Sequence, residues 1–99
     1  MTLTELILSV KEQHLTKDQL EGYRDQMAQL FAEMNMEMAD LEKDEALFMN
    51  EREDGEAAIS RKIAWKATAG GQRLIVLKRY ATATKAMLSS LKDRLYNYY

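Results

Sequence analysis

Cysteine and proline are both absent from the 99 residues, and there are only four glycines and one histidine. Without cysteine there is no disulfide framework and no thiolate metal site, which points to a reducing, intracellular setting. Without proline, and with so little glycine, nothing divides the chain into many short strands. Long apolar runs are missing as well. Leu74-Ile75-Val76-Leu77 falls far short of the ~20 residues that cross a bilayer. Met1 to Val10 carries no basic stretch before an apolar run and no small-residue cleavage site, so no secretory leader is expected. The expectation is one domain, residues 1–99, in the cytoplasm.

Catalytic groupings are equally scarce. His14 has no cysteine to act with and reads as an inter-helix loop residue, not a ligand or a base. The acidic run Glu51, Glu53, Asp54, Glu56 suggests calcium, but Asn50 to Arg61 fails as an EF-hand loop. Arg52 takes the third position, and Arg61 stands where a bidentate glutamate belongs. Gly70-Gly71 lacks the preceding strand and the Lys-Ser/Thr of a phosphate loop. No enzymatic activity, cofactor or metal is therefore expected.

What the chain does have is an abundance of Ala, Leu, Met, Glu, Lys, Gln and Arg, the strong helix formers. Thr2-Leu3-Thr4-Glu5 and Thr16-Lys17-Asp18-Gln19 are both capping boxes. Met1 with Leu6, and Leu15 with Leu20, are spaced as their hydrophobic staples. The first box opens a short helix over 3–13, with Leu3, Leu6, Ile7 and Val10 on one face. Such a helix is too short to persist alone and must dock. The second opens a long helix over 17–53, along which Leu20, Tyr23, Met27, Leu30, Phe31, Met34, Met38, Leu41 and Phe48 keep a 3.6-residue period.

Asp54-Gly55 is the expected turn, with glycine in the left-handed position after a helix end. The third helix is predicted over 56–96. Its seam is Ile63, Ala67, Gly70, Leu74, Leu77, Ala81, Thr84, Leu88, Leu91, Leu95 and Tyr98, in alternating steps of three and four. That register runs through Gly70-Gly71, which argues for one continuous helix there. The predicted fold is all-α: a long antiparallel helical hairpin, coiled-coil-like, with a short N-terminal helix. Pairing about the turn sets Met34 and Met38 against Gly70 and Gly71, and Glu33 and Asp40 beside Arg73 and Lys66. Two arrangements compete: one unbroken helix dimerising as a coiled coil, and a three-helix bundle bent at Gly70-Gly71.

Charge is strongly divided. Residues 1–54 hold five Lys/Arg against fourteen Asp/Glu, and residues 55–99 hold nine against two, giving −9 and +7 and the net −2. Either the halves pair or the basic half meets an anionic partner. The third helix also carries a second stripe, Trp65, Ala69, Val76, Tyr80, Ala83 and Met87, and the short helix is expected to cover only its Ala83–Met87 end. An uncovered Trp65 beside Arg61, Lys62 and Lys66 has the composition of an interface hot spot. The candidate partner-binding residues are accordingly Trp65, Arg61, Lys62, Ala69, Val76, Arg79 and, from the tyrosine-rich tail, Tyr99.

The stretch Arg61-Lys62-Ile63-Ala64-Trp65-Lys66-Ala67-Thr68, followed by Gly71-Gln72, Leu77-Lys78, Met87-Leu88 and Leu91-Lys92, resembles small helical proteins encoded by tailed bacteriophages. The resemblance covers roughly the C-terminal 40 residues and transfers no functional residue. It implies an early phage protein in the bacterial host cytoplasm that binds a host factor or assists DNA metabolism. The function expected is that of a non-enzymatic helical adaptor or modulator acting by protein–protein contact with a host protein or as a homodimer. The alternatives are a nucleic-acid-binding accessory protein using the basic third helix, and a structural or assembly protein.

Overall fold

A computed structural model describes residues 2–11, 15–51 and 55–97. Its elements are α1 (Leu3–Val10), α2 (Lys17–Asn50), α3 (Ala58–Ala67) and α4 (Ala69–Tyr96), and no strand occurs among the described residues. The fold is all-α, with α2 and α4 packed on each other as the arms of a hairpin. Met1, His14, Asp54, Tyr98 and Tyr99, together with the expected ends of the first two helices, lie outside the described residues.

Both predicted capping boxes open helices. The Glu5 amide donates to Thr2 Oγ1 at 3.2 Å. At α2 the exchange is reciprocal: Gln19 N donates to Thr16 Oγ1 (3.1 Å), and Thr16 N donates to Gln19 Oε1 (2.9 Å). Each bond satisfies an amide that the first turn leaves without an intrahelical acceptor.

The chain gathers into two compact units. The first comprises residues 1–33 and 81–99. Its core is Leu6 and Val10 of α1, Leu15 just before α2, Leu20 and Met27 of α2, and Leu91 and Leu95 of α4, with Met87 and Leu88 packed against it. Leu15 and Leu20 are thus a working staple. Burial of Leu6 and Val10, each worth about 1.5–3 kcal/mol, holds an eight-residue helix that would melt alone. Thr84 is the one fully buried polar side chain among the described residues, and it is not left without a partner.

The second unit, residues 34–80, comprises the C-terminal part of α2, all of α3 and the start of α4. From Leu74 to Leu95 the seam is as predicted, with Leu74 and Leu77 buried in this unit. Before it, the expected continuous helix is not found. Thr68 adopts an extended conformation (φ −75°, ψ 161°) and separates α3 from α4. Ile63, expected in the seam, is 64% exposed, whereas Trp65, expected outside, is 7% exposed. The break turns the opposite face of α3 inward.

The glycines therefore do a different job from the one expected. Gly70 lies against the Trp65 ring and Leu41, and the nearest atoms to Gly71 are the backbone of Trp65 and Lys66 rather than methionine side chains. Gly55 has the positive φ (84°) that a helix-terminating glycine supplies. Arg73 pairs with Glu37 at 2.8 Å, one turn on from the expected Glu33, which instead accepts from Gln29.

Candidate interaction surface

Thr68 shapes the surface because it ends one helix and starts the next. Its hydroxyl donates to the Trp65 carbonyl (2.6 Å) and accepts from the Gly71 amide (3.0 Å), so it is the N-cap of α4 while closing α3. Gln72 Nε2 adds a bond to the Lys66 carbonyl (2.6 Å). The Trp65 and Lys66 carbonyls and the Gly71 amide, which the break would otherwise strand, are thereby satisfied, and a one-residue interruption becomes stable.

With α3 so turned, Trp65 stacks on Phe48 of α2, ring centroids 5.6 Å apart and tilted by 52°. Arg61 also lies over the Phe48 ring, its guanidinium carbon 3.6 Å from the ring centroid, and its Nε donates to the Phe48 carbonyl at 2.8 Å. That carbonyl belongs to the last turn of α2, which has no basic residue of its own. Arg94 does the same for α1, whose last turn is also without a cation, by donating from Nη1 to the Val10 carbonyl. In both cases an arginine from a neighbouring helix meets the negative end of a helix dipole.

The expected partner-binding set is consequently divided. Trp65 and Arg61 are turned into the fold, where aromatic burial and the α2 carbonyl hold them. Lys62, Ala69, Val76 and Arg79 are on the surface, and Tyr99 lies outside the described residues. The stripe from Trp65 through Ala69 to Val76 is therefore not one exposed face. The residues missed are Ile59 and Ile63, 76% and 64% exposed and one turn apart on α3. The signal for them was present: Thr68, two residues before Gly70-Gly71, is a good N-cap residue in the middle of an apparently unbroken helix.

Lys62 and Lys66 are also one turn apart and lie beside the two isoleucines. They border a cleft of about 210 Å³ that Leu74 and Lys78 of α4 and Glu45 of α2 help to line. The exposed part of α3 is thus a ridge of Ile59 and Ile63 next to a lysine-edged hollow. α3 itself carries Arg61, Lys62 and Lys66 and no acidic residue.

On α4, hydrogen bonding to Glu37 raises the pKa of the exposed Arg73, with the carboxylate charge adding to the effect. Among the described residues, no three His, Asp or Glu side chains gather as a metal site, and no helix is long and apolar enough to cross a membrane. Comparison with protein-family models, curated proteins and solved structures gives no match.

Proposed function

We propose that this chain is a non-enzymatic helical adaptor or modulator that works by protein–protein contact through α3. The observation that supports the reading is the ridge itself. Two isoleucines stand in solvent on a ten-residue helix whose own core residue, Trp65, faces the other way. Leaving both exposed forgoes burial worth about 1.5–3 kcal/mol per side chain, which a partner would recover. The resemblance of residues 61–92 to phage helical proteins extends the proposal: the partner is a bacterial host factor involved in DNA metabolism, met in the host cytoplasm. Tagged protein and an Ile59→Ser, Ile63→Ser variant, passed over bacterial lysate and read by mass spectrometry, test this. A partner retained by wild type and lost by the variant is expected. Identical captures would refute it.

Nucleic-acid binding is the second reading, favoured by the lysines at the α3–α4 cleft. Against it, residues 34–80 hold nine Asp/Glu and eight Lys/Arg, so the lysines sit in a unit with no net positive charge. Phosphate binding needs several uncompensated cations, each steepening the log–log salt dependence by about one unit. No measurable DNA binding at physiological salt is expected. A fluorescence anisotropy titration reaching micromolar affinity, with a salt slope reduced by Lys62→Ala and Lys66→Ala, would make this the better reading.

A further inference from the structure

We infer that the occupant of the α3 ridge is an amphipathic helix of a partner protein, apolar along one stripe and flanked by Asp or Glu. The inference rests on the protein-contact reading above and adds the chemistry of the partner.

Three observations support it. The first is spacing. Ile59 and Ile63, like Lys62 and Lys66, are i and i+4, which places each pair roughly 6 Å apart along α3. A second helix presents apolar and charged groups at the same interval, so its stripe meets the isoleucines while its flank meets the ammonium groups. The second is shape. Beside the ridge lies the hollow lined by Lys62, Lys66, Lys78 and Glu45, so a helix laid along Ile59 and Ile63 carries its flank over Lys62 and Lys66. The third is charge. Lys62 and Lys66 stand exposed on a helix that holds no acid, so a basic flank is repelled and an acidic one is drawn in.

Other occupants fit less well. A second α3, from another copy, would set Lys62 and Lys66 against their own like. The outer face of α2 shows exposed Met36 and Leu47, but they stand about three turns apart with Asp40 and Lys43 between them, so α2 offers no continuous apolar stripe to the two isoleucines. A lipid surface would call for an aromatic anchor, and the tryptophan of α3 is turned inward.

The experiment uses the full chain and three labelled synthetic peptides of about 15 residues, identical along a leucine stripe and flanked by Glu, Gln or Lys. Anisotropy is read at low and physiological salt. The Glu-flanked peptide is expected to bind at least roughly tenfold tighter than the Gln-flanked one. Ile59→Ser with Ile63→Ser should abolish binding, and Lys62→Glu with Lys66→Glu should transfer preference to the Lys-flanked peptide. Unchanged Trp65 emission in each variant establishes that the fold is intact. Equal affinity for the Glu- and Gln-flanked peptides overturns the inference, as does binding indifferent to the isoleucines. Sedimentation showing a wild-type oligomer that Ile63→Ser disperses would also overturn it, because a second copy would then cover the ridge. If lysate capture depends on Ile59 and Ile63 while no acidic peptide binds, the protein-contact reading stands and the acidic partner falls. If neither is seen, both fall.

Discussion

A Cβ on Gly71 would lie 2.0 Å from the Trp65 carbonyl oxygen and 2.8 Å from the Lys66 Cα. Backbone cannot retreat as a side chain can, so the turn between α3 and α4 is closed to every residue but glycine. Gly71→Ala is expected to lower stability by about 2–4 kcal/mol, although alanine is the better helix former by about 1 kcal/mol. Gly70→Ala is the control. There the Cβ meets the outer edge of the Trp65 ring at 3.1 Å, and the cost should be much smaller. Urea unfolding of the two variants checks this; equal costs would mean that the turn does not have this close approach.

Trp65 and Ile63 exchange their expected roles, and truncation measures the exchange. Trp65→Ala should cost about 3–5 kcal/mol, the range for emptying a large aromatic site, through loss of its stack on Phe48. Ile63→Ala should change stability by no more than about 0.5 kcal/mol. If Ile63 proved the costlier of the two, α3 would have to face the other way in solution.

Thr68→Ala removes the hydroxyl that joins Trp65 to Gly71. Loss of an N-cap of this kind costs about 0.5–2 kcal/mol. It also frees the heptad register to run on from α4 into α3, which would carry Ile63 inward and Trp65 out. A red-shifted, more quenchable tryptophan emission is expected. A more stable variant with unshifted emission would show that Thr68 does not maintain the break.

Arg94 stands in for the basic residue that the last turn of α1 lacks. Arg94→Met keeps much of the aliphatic bulk and removes the donor. It should destabilise by about 1–2 kcal/mol and raise hydrogen exchange in α1 before the rest of the chain. Uniform loss of protection throughout would argue against a local capping role. Thr16→Ala, by contrast, should cost about 1 kcal/mol at the start of α2 while leaving the α1 amides protected.

Much of the chain's architecture follows from residue order alone. Helical composition, two capping boxes, a glycine stop and a seam of alternating threes and fours are local or periodic properties, and they account for α1, α2, the hairpin and the packing from Leu74 to Leu95. Periodicity, however, records which residues are able to share a face, not which face wins. Ile63 and Trp65 both offer α3 a way to pack, and the seam's regularity favours Ile63. Tertiary contacts decide otherwise. Phe48 supplies a ring for Trp65, the α2 carbonyls supply an acceptor for Arg61, and Thr68 with Gly71 permits the turn that brings both into reach. Thr68 and Gly71 follow α3 directly, but Phe48 lies 13 residues from Arg61 and meets α3 only through the fold. The exposed isoleucines, and with them the candidate interaction surface, exist only because that non-local arrangement outweighs the continuous register.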